Sequence, residues 1–356
     1  DLPPFDNSRM DGFALRHADL ATDAPTHLRM VAEQFAGLAL GLTLQPGECA
    51  RITTGAPLPG GADTVVIKEN VSELYGLVCV PPGVRVGDRL GRAGEDVRVG
   101  EVVLPAGAPL TPARASLAAA LGVAELEVVR RPTVAVFTTG DELVEPGLPL
   151  RPGQIYNSNR ELVMGLLRAE GLEPVAWPTL ADDPARMESM LRDAASAFDV
   201  VLTCGGVSAG EKDHVPVLLE RAGQIHFWKV RMKPGMPVLL GGLDRALFLG
   251  LPGNPVSVLA TFLALGRPLL DALQGRTELP ARRFARLTRP WTKSHDRFEF
   301  LRGRLQHGED GVLGVAPNAA DASHRLRAAS QSDALILLEE GLREYASGSV
   351  VQVIEY

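Results

Sequence analysis

Cysteine is scarce: Cys49, Cys79 and Cys204 are the only thiols among 356 residues. Three cysteines so far apart offer neither a disulfide framework nor a zinc site, so a reducing, cytoplasmic setting is expected. Cys204 closes an apolar run and reads as a small core residue rather than a nucleophile. An excess of positive charge is also missing. Charged residues are 22% of the chain and the net charge is -7, which excludes a general nucleic-acid binder. No apolar run reads as long enough for a membrane span, because Pro, Gly or charge interrupts each one within about a dozen residues. No internal repeat of roughly 20 to 50 residues and no low-complexity tract is found. No signal peptide is read at the start, and the chain opens on Asp1 rather than Met, so the numbering is expected to begin inside a longer protein. What is present is apolar material: 46% of residues, enough to fill the cores of a multidomain protein.

Three styles of sequence follow one another. Residues 1 to 130 are rich in Gly and Pro with short apolar runs ("DTVVIKENV", "LVCV", "EVVLP", "ELEVV") and read as β-structure with tight turns. One helix, "PARASLAAALGV", is expected to start at Pro112. From Arg131 the pattern becomes α/β. "TVAVF", "EPVAW", "DVVLTC", "QIHFWKV", "PVLLGG" and "ALFLG" read as strands. Between and after them, "NSNRELVMGLLRAEG", "DDPARMESMLRDAASA", "HVPVLLERAG" and "NPVSVLATFLALGRPLLDAL" read as helices. Ser158 with Glu161 fits a capping box, and Asp182 or Asp183 fits an N-cap before Pro184. Strands alternating with helices predict a mostly parallel, doubly wound sheet over residues 131–276. Residues 281–356 return to short strands, with eight Lys/Arg between Arg282 and Arg304 read as a solvated or partner-facing surface.

Ligands of open α/β sheets bind beyond the carboxyl ends of the strands. Two strands end alike there: one runs into Thr138-Thr139-Gly140-Asp141-Glu142, the other into Thr203-Cys204-Gly205-Gly206 followed by Ser208. Glycine lets backbone N–H groups approach an anion, so the pair suggests a phosphate cradle; each loop alone also fits a plain βα turn. Asp141, Glu142, Asp182, Asp183 and Asp213 should gather on the same rim. Carboxylates beside phosphate imply an intervening cation, and Mg²⁺ is commonly held by one or two carboxylates plus phosphate oxygens. Asp182 and Asp183 fit equally well as helix caps, and Glu211 and Lys212 as solvated neighbours. Lys229, Arg231 and Lys233 alternate along "KVRMK" and are expected to share one face, serving an anion rather than folding. In "GLPGNPVSV", Pro252 and Gly253 lead to Asn254 as a candidate N-cap and Pro255 in the first turn, and helix N-termini attract anions. Asp6, Asp11, Thr53, Thr54, Glu95 and Asp96 sit in Gly-rich loops and are loop candidates to face a site.

These motifs together resemble the MoeA family, the molybdopterin molybdenumtransferases, whose fold is shared with the E domain of gephyrin. The stretches that carry the resemblance are "DNSRMDGFA", "RITTGAPLPGGADTVV", "GEDV", "VFTTGDELVEPG", "IYNSNRELV", "TCGGVSAGEKDHV", "KVRMKPGMPV" and "GLPGNPVSV", in the family's order between positions 6 and 258. The turn usually written TSGG or TTGG reads "TCGG" here. The resemblance implies an α/β and β multidomain fold. A β-rich domain spans 25–110, and an elongated linking domain is built from 1–24 and 111–130, partial here without its N-terminal helices. An α/β domain like the molybdopterin-adenylyltransferase fold spans 131–276, and a C-terminal β-barrel spans 281–356.

By the same resemblance, the reaction inserts molybdenum from molybdate into adenylylated molybdopterin and releases AMP, with Mg²⁺ assisting. The implied catalytic set is Asp11, Thr54, Glu142, Asp182, Asp213, Lys229 and Lys233, with Glu142, Asp182 and Asp213 as metal ligands. Thr139, Gly140, Asp141, Gly205, Gly206, Ser208, Pro252, Gly253, Asn254 and Pro255 would bind the substrate. The protein is expected to be a homodimer whose sites combine Asp11 and Thr54 of one subunit with the α/β domain of the other. A molybdopterin adenylyltransferase would act upstream, the ligands would be small anions, and neither nucleic acid nor membrane would be a partner. A gephyrin-like peptide-binding scaffold and the adenylyltransferase activity itself are the rival readings.

Overall fold

The computed structural model describes every residue except 209, 211, 212, 320, 321 and 323, so the sequence reading of Glu211 and Lys212 lies outside the described residues. The chain divides into two compact units, Asp1–Glu127 and Val128–Tyr356.

The first unit is built on a six-stranded sheet in the order Thr64–Ile67, Gly12–Leu15, Glu48–Ile52, Thr26–Gln34, Leu77–Val80, Ser72–Leu74. Its Gly12–Leu15 strand is buried throughout. Phe13 and Leu15 join Leu28, Cys49 and Val78 in one core, while Ala14 packs with Ile52 and Val65 in another. That division follows from the two-residue period of a strand. A helix runs Pro112–Ala120, with the Thr111 hydroxyl accepting from the Arg114 N–H at 3.3 Å, so the expected start at Pro112 holds. Two expected strands do not form: "EVVLP" and "ELEVV" carry no ladder, and Val102, Leu126, Val128 and Val129 are exposed. Their apolar runs met the propensity for a strand without a neighbouring strand to complete it.

The second unit holds two bodies. The first is a six-stranded sheet in the order Val175–Ala176, Val134–Thr138, Val200–Cys204, Ala246–Leu251, Leu239–Leu243, Gln224–Trp228. All run parallel except Leu239–Leu243, which is antiparallel to both its neighbours. The antiparallel strand arises because only Asp244 and Arg245 link Leu239–Leu243 to Ala246–Leu251; two residues close a hairpin and cannot make a crossover. Helices cover both faces. Ser158–Ala169 and Pro255–Thr261 contribute to one core, Pro184–Ala197 and His214–Ala222 to the other. Burial on both sides explains the unbroken apolar runs of Val134–Thr138 and Val200–Cys204.

Pro255–Leu273 corrects one expectation. The stretch forms as the one helix read from it, passing through a π-turn at Phe262–Gly266 and continuing over Arg267–Leu273, but its apolar run was expected to fall short of a membrane span. Its 19 residues and mean hydropathy of 1.5 make it long and apolar enough to cross a membrane, but 56% of it is buried against the protein's own core. Pro268 is tolerated because it starts the segment after the π-turn.

The second body is a closed five-stranded barrel. Phe298–His307 pairs with both Leu313–Pro317 and Ala334–Leu338, and the circle closes through Val350–Glu355 and Arg283–Leu287. Leu287, Leu301, Val315, Ile336 and Val353 fill it. Met232–Lys233 leaves the α/β body and adds in parallel to Phe298–Glu299, so a segment between the two bodies is itself a rung of the barrel sheet.

Candidate active site

Strand order places the site. Val175–Ala176 lies on one side of Val134–Thr138 and Val200–Cys204 on the other, so the chain reverses its direction of advance between them. Crevices open at such switch points, beyond the strands' carboxyl ends. Here a cleft of about 880 Å³ is lined by Thr139, Gly140, Glu142, Asp182, Gly205, Gly206, Ser208 and Asp213. Pro252, Gly253 and Asn254 line it from the loop before the Pro255 helix, and Lys233 and Arg297 from beside the barrel.

The rim carboxylates arrive by distinct routes. Leu180 extends the sheet edge: its N–H donates to the Thr138 carbonyl at 2.8 Å, and Gly140 N–H donates to the Leu180 carbonyl at 3.2 Å. This brings Asp182 to the rim, where its N–H donates to Asp141 Oδ1 at 3.2 Å. Asp183, not Asp182, caps the following helix, accepting from the N–H groups of Ala185 and Arg186. The Ser158–Ala169 helix is likewise capped one residue earlier than the capping-box reading, by Asn157, which accepts from Arg160 N–H at 3.3 Å. Asp213 accepts from Gly210 N–H at 2.9 Å and so closes the Gly-rich loop on itself.

The anion cradle is narrower than the glycines suggested. Gly140 and Gly205 donate to Leu180 and Leu251 carbonyls and are not available to a ligand. Among the described residues, no acceptor pairs with the N–H groups of Gly206, Val207 or Ser208. Gly205 is required for shape. At φ +95° a Cβ would lie 2.5 Å from Thr139 Oγ1 and 3.2 Å from its carbonyl oxygen. Trp228 Nε1 donates to the Val207 carbonyl at 2.8 Å and fixes the far side of the loop. Cys204, fully buried before the glycines, has its thiol pushed up to about 12 by desolvation, as fits a core residue.

Three sequence readings are revised. Lys229, Arg231 and Lys233 do not share a face, because Lys229 takes a left-handed backbone (φ +68°) that breaks the alternation. Its ammonium lies 4.2 Å from the centre of the Trp228 ring and does not line the cleft. Arg231 pairs with Asp296 and Glu340, whereas Lys233 lines the cleft and pairs with Glu299 at 3.2 Å. Second, Asp141 and Pro255 are not among the residues that line the cleft. Third, the Glu142, Asp182 and Asp213 set does not make a cation cage: among the described residues no three His, Cys, Asp or Glu groups could hold a metal ion together. The donors fit a Mg²⁺ brought in on phosphate oxygens and met by one or two carboxylates.

Sequence reasoning missed other residues. Arg297 was hidden in a basic stretch read as solvated, but it lines the cleft and donates to the Met232 carbonyl at 3.4 Å. In the same stretch Lys293 and Arg302 are buried. Asn159 donates to the Gly253 carbonyl at 2.7 Å and holds the Pro252–Asn254 loop; its place in "NSN" was the only signal.

In the first unit, Asp11 accepts from the Thr54 N–H at 2.8 Å and hydroxyl at 2.9 Å. These bonds, aided by Lys68, hold its carboxyl below the usual range. Asp6 pairs with Arg92 and accepts from Ala93 N–H, while Glu95 pairs with Arg9, so the "DNSR" and "GEDV" loops are tied together.

Residues 1–122 match the MoeA N-terminal region (domain I and II), 135–272 a probable molybdopterin binding domain, and 285–356 the MoeA C-terminal region (domain IV). The chain is 39% identical over 356 residues to the molybdopterin molybdenumtransferase of Haemophilus influenzae, covering 99% of this chain and 88% of that one. It belongs to the MoeA family of molybdopterin molybdenumtransferases. Against molybdopterin molybdenumtransferase 2 of Mycobacterium tuberculosis, this MoeA-family chain is 40% identical over 363 residues, covering 99% and 89%. Two crystal structures of the MoeA protein of Pyrococcus horikoshii match it with TM-scores of 0.80 and 0.83 at 29% and 27% identity, covering all of this chain and 88% and 89% of theirs.

Proposed function

We propose that this protein inserts molybdenum from molybdate into adenylylated molybdopterin, releasing AMP, in a reducing cytoplasm where its three free cysteines stay reduced. The observation that carries this reading is the pairing, in one cleft, of uncommitted Gly206–Ser208 N–H groups with the Glu142, Asp182 and Asp213 carboxylates. Backbone N–H groups suit a phosphate oxygen, and the volume lies within the range of small-ligand sites. The carboxylates would hold Mg²⁺ between themselves and the substrate phosphates, which neutralises charge as the phosphoanhydride is cleaved. Lys233 and Arg297, on the barrel side, offer two cations for the molybdate oxyanion. The remaining lining residues orient the pterin and exclude water.

The homodimer is part of the same proposal: Asp11 and Thr54 of one copy would complete the cleft of another. Asp11, ionised and fixed by two Thr54 bonds, is suited to such a role. The function is tested by AMP release from adenylylated molybdopterin with and without molybdate, comparing wild type with Asp213→Asn. Molybdate-dependent release that Asp213→Asn loses while remaining folded supports the reading. Equal rates in both proteins count against it.

A further inference from the structure

Glu299 is the only buried Asp or Glu among the described residues, at 3% exposure. It sits on the barrel strand Phe298–His307, in register with Lys233 of the Met232–Lys233 rung. One oxygen, Oε1, lies 3.2 Å from Lys233 Nζ and 3.3 Å from His295 Nε2. The other, Oε2, is buried with no hydrogen-bond partner. A buried carboxylate with half its acceptor capacity unused is costly, and a fold gains nothing from it as packing alone. Lys233 is the partner of Glu299 that reaches the cleft.

We infer that Glu299 is a positioning residue for the proposed reaction: it fixes the Lys233 ammonium in the cleft and limits how tightly the resting site holds an oxyanion. The inference rests on the function proposed above. A lysine ammonium on a four-carbon stem has three rotatable donors and no preferred direction. The ion pair with an immobile carboxylate restricts it to one place. The same pair leaves the two groups with no net charge, so an anion in the ground state meets a weaker field than a lone lysine would give. Only interactions that strengthen toward the transition state raise turnover, so weak resting attraction with a fixed ammonium favours rate over affinity.

The test uses full-length Glu299→Gln, Glu299→Asp, Lys233→Ala and the double variant Glu299→Gln/Lys233→Ala. Molybdate affinity is read by calorimetry and AMP release in single turnover. Removing one negative charge beside the cleft should let Glu299→Gln bind the molybdate dianion about tenfold tighter. It should release AMP about tenfold more slowly as the ammonium loses its position. Glu299→Asp keeps the charge and shortens the reach, so it should keep wild-type molybdate affinity and lose turnover. It also serves if Glu299→Gln does not fold. In the Lys233→Ala background, Glu299→Gln should still tighten molybdate but no longer slow AMP release, because no ammonium is left to position. An equal loss of turnover in both backgrounds, or unaltered turnover in Glu299→Asp, overturns the inference. Inorganic phosphate is titrated in parallel. A wild type that binds phosphate but neither binds molybdate nor releases AMP refutes the function instead, and the phosphate affinities still read the effect of the Glu299 charge.

Discussion

Replacing Gly205 by Ala separates two costs that are usually confounded. Gly205 and Gly153 have similar backbones, φ +95° and +85°. A Cβ at Gly153 would meet nothing within 4 Å, whereas at Gly205 it would lie 2.5 Å from Thr139 Oγ1 and 3.2 Å from the Thr139 carbonyl. Gly153→Ala should therefore cost only the strain of a positive φ, about 1–2 kcal/mol. Gly205→Ala adds overpacking of about 1–3 kcal/mol, because the Thr139 hydroxyl can rotate away but its backbone is held by the Thr139 N–H bond to Cys204 and the Gly140 N–H bond to Leu180. For a unit of about 230 residues, each kcal/mol lowers Tm by roughly 2–4 °C, so Gly205→Ala should fall by about 4–20 °C and Gly153→Ala by about 2–8 °C, with Gly205→Ala the larger drop. Scanning calorimetry of the full chain reads both. Gly205→Ala should also weaken AMP binding, since Thr139 lines the cleft. Equal drops in Tm, with AMP binding intact in both variants, would refute the argument that this loop is shaped by close approach to Thr139.

Lys233→Ala should lower stability by about 3 kcal/mol, because it leaves buried Glu299 without its ammonium; a chemical denaturation midpoint equal to wild type would show the pair to be unimportant for folding. Mixing Asp11→Ala with Glu142→Ala chains should restore part of the activity through one intact site per heterodimer. No recovery after demonstrated subunit exchange contradicts shared sites. Asp199 gives a pH prediction. Arg130, with help from the Thr133 N–H and hydroxyl, holds its carboxyl well below the usual range. A depressed folded-state pKa adds stability above the unfolded value of about 4 and loses it as pH falls below that value. Asp199→Asn should thus be less stable than wild type at neutral pH, with the gap narrowing on acidification; a constant gap measured by urea melts would exclude the linkage.

Much of this molecule was legible because its apolar runs are long and both-sided. Val134–Thr138 and Val200–Cys204 could be read as central strands, and the glycines that follow them as loops of the site. The failures have local causes. A two-residue link at Asp244–Arg245 turned a strand antiparallel. The left-handed Lys229 broke an alternation that sequence alone takes for granted. Which glycine N–H groups remain for a ligand could not be read from spacing, since Gly140 and Gly205 find their acceptors on Leu180 and Leu251, distant in sequence. Arg297 and Glu299 were invisible for a similar reason: their neighbour Lys233 comes from another body of the fold.

The central claim is that one cleft binds the phosphoanhydride and molybdate together and couples the arrival of one to the breakage of the other. Single-turnover AMP release from adenylylated molybdopterin, followed as molybdate is titrated, tests it most directly. Release should rise and saturate with molybdate in the wild type and be abolished in Glu142→Gln and Asp213→Asn, with both variants folded. AMP release at the same rate without molybdate, or undiminished in both variants, would contradict it.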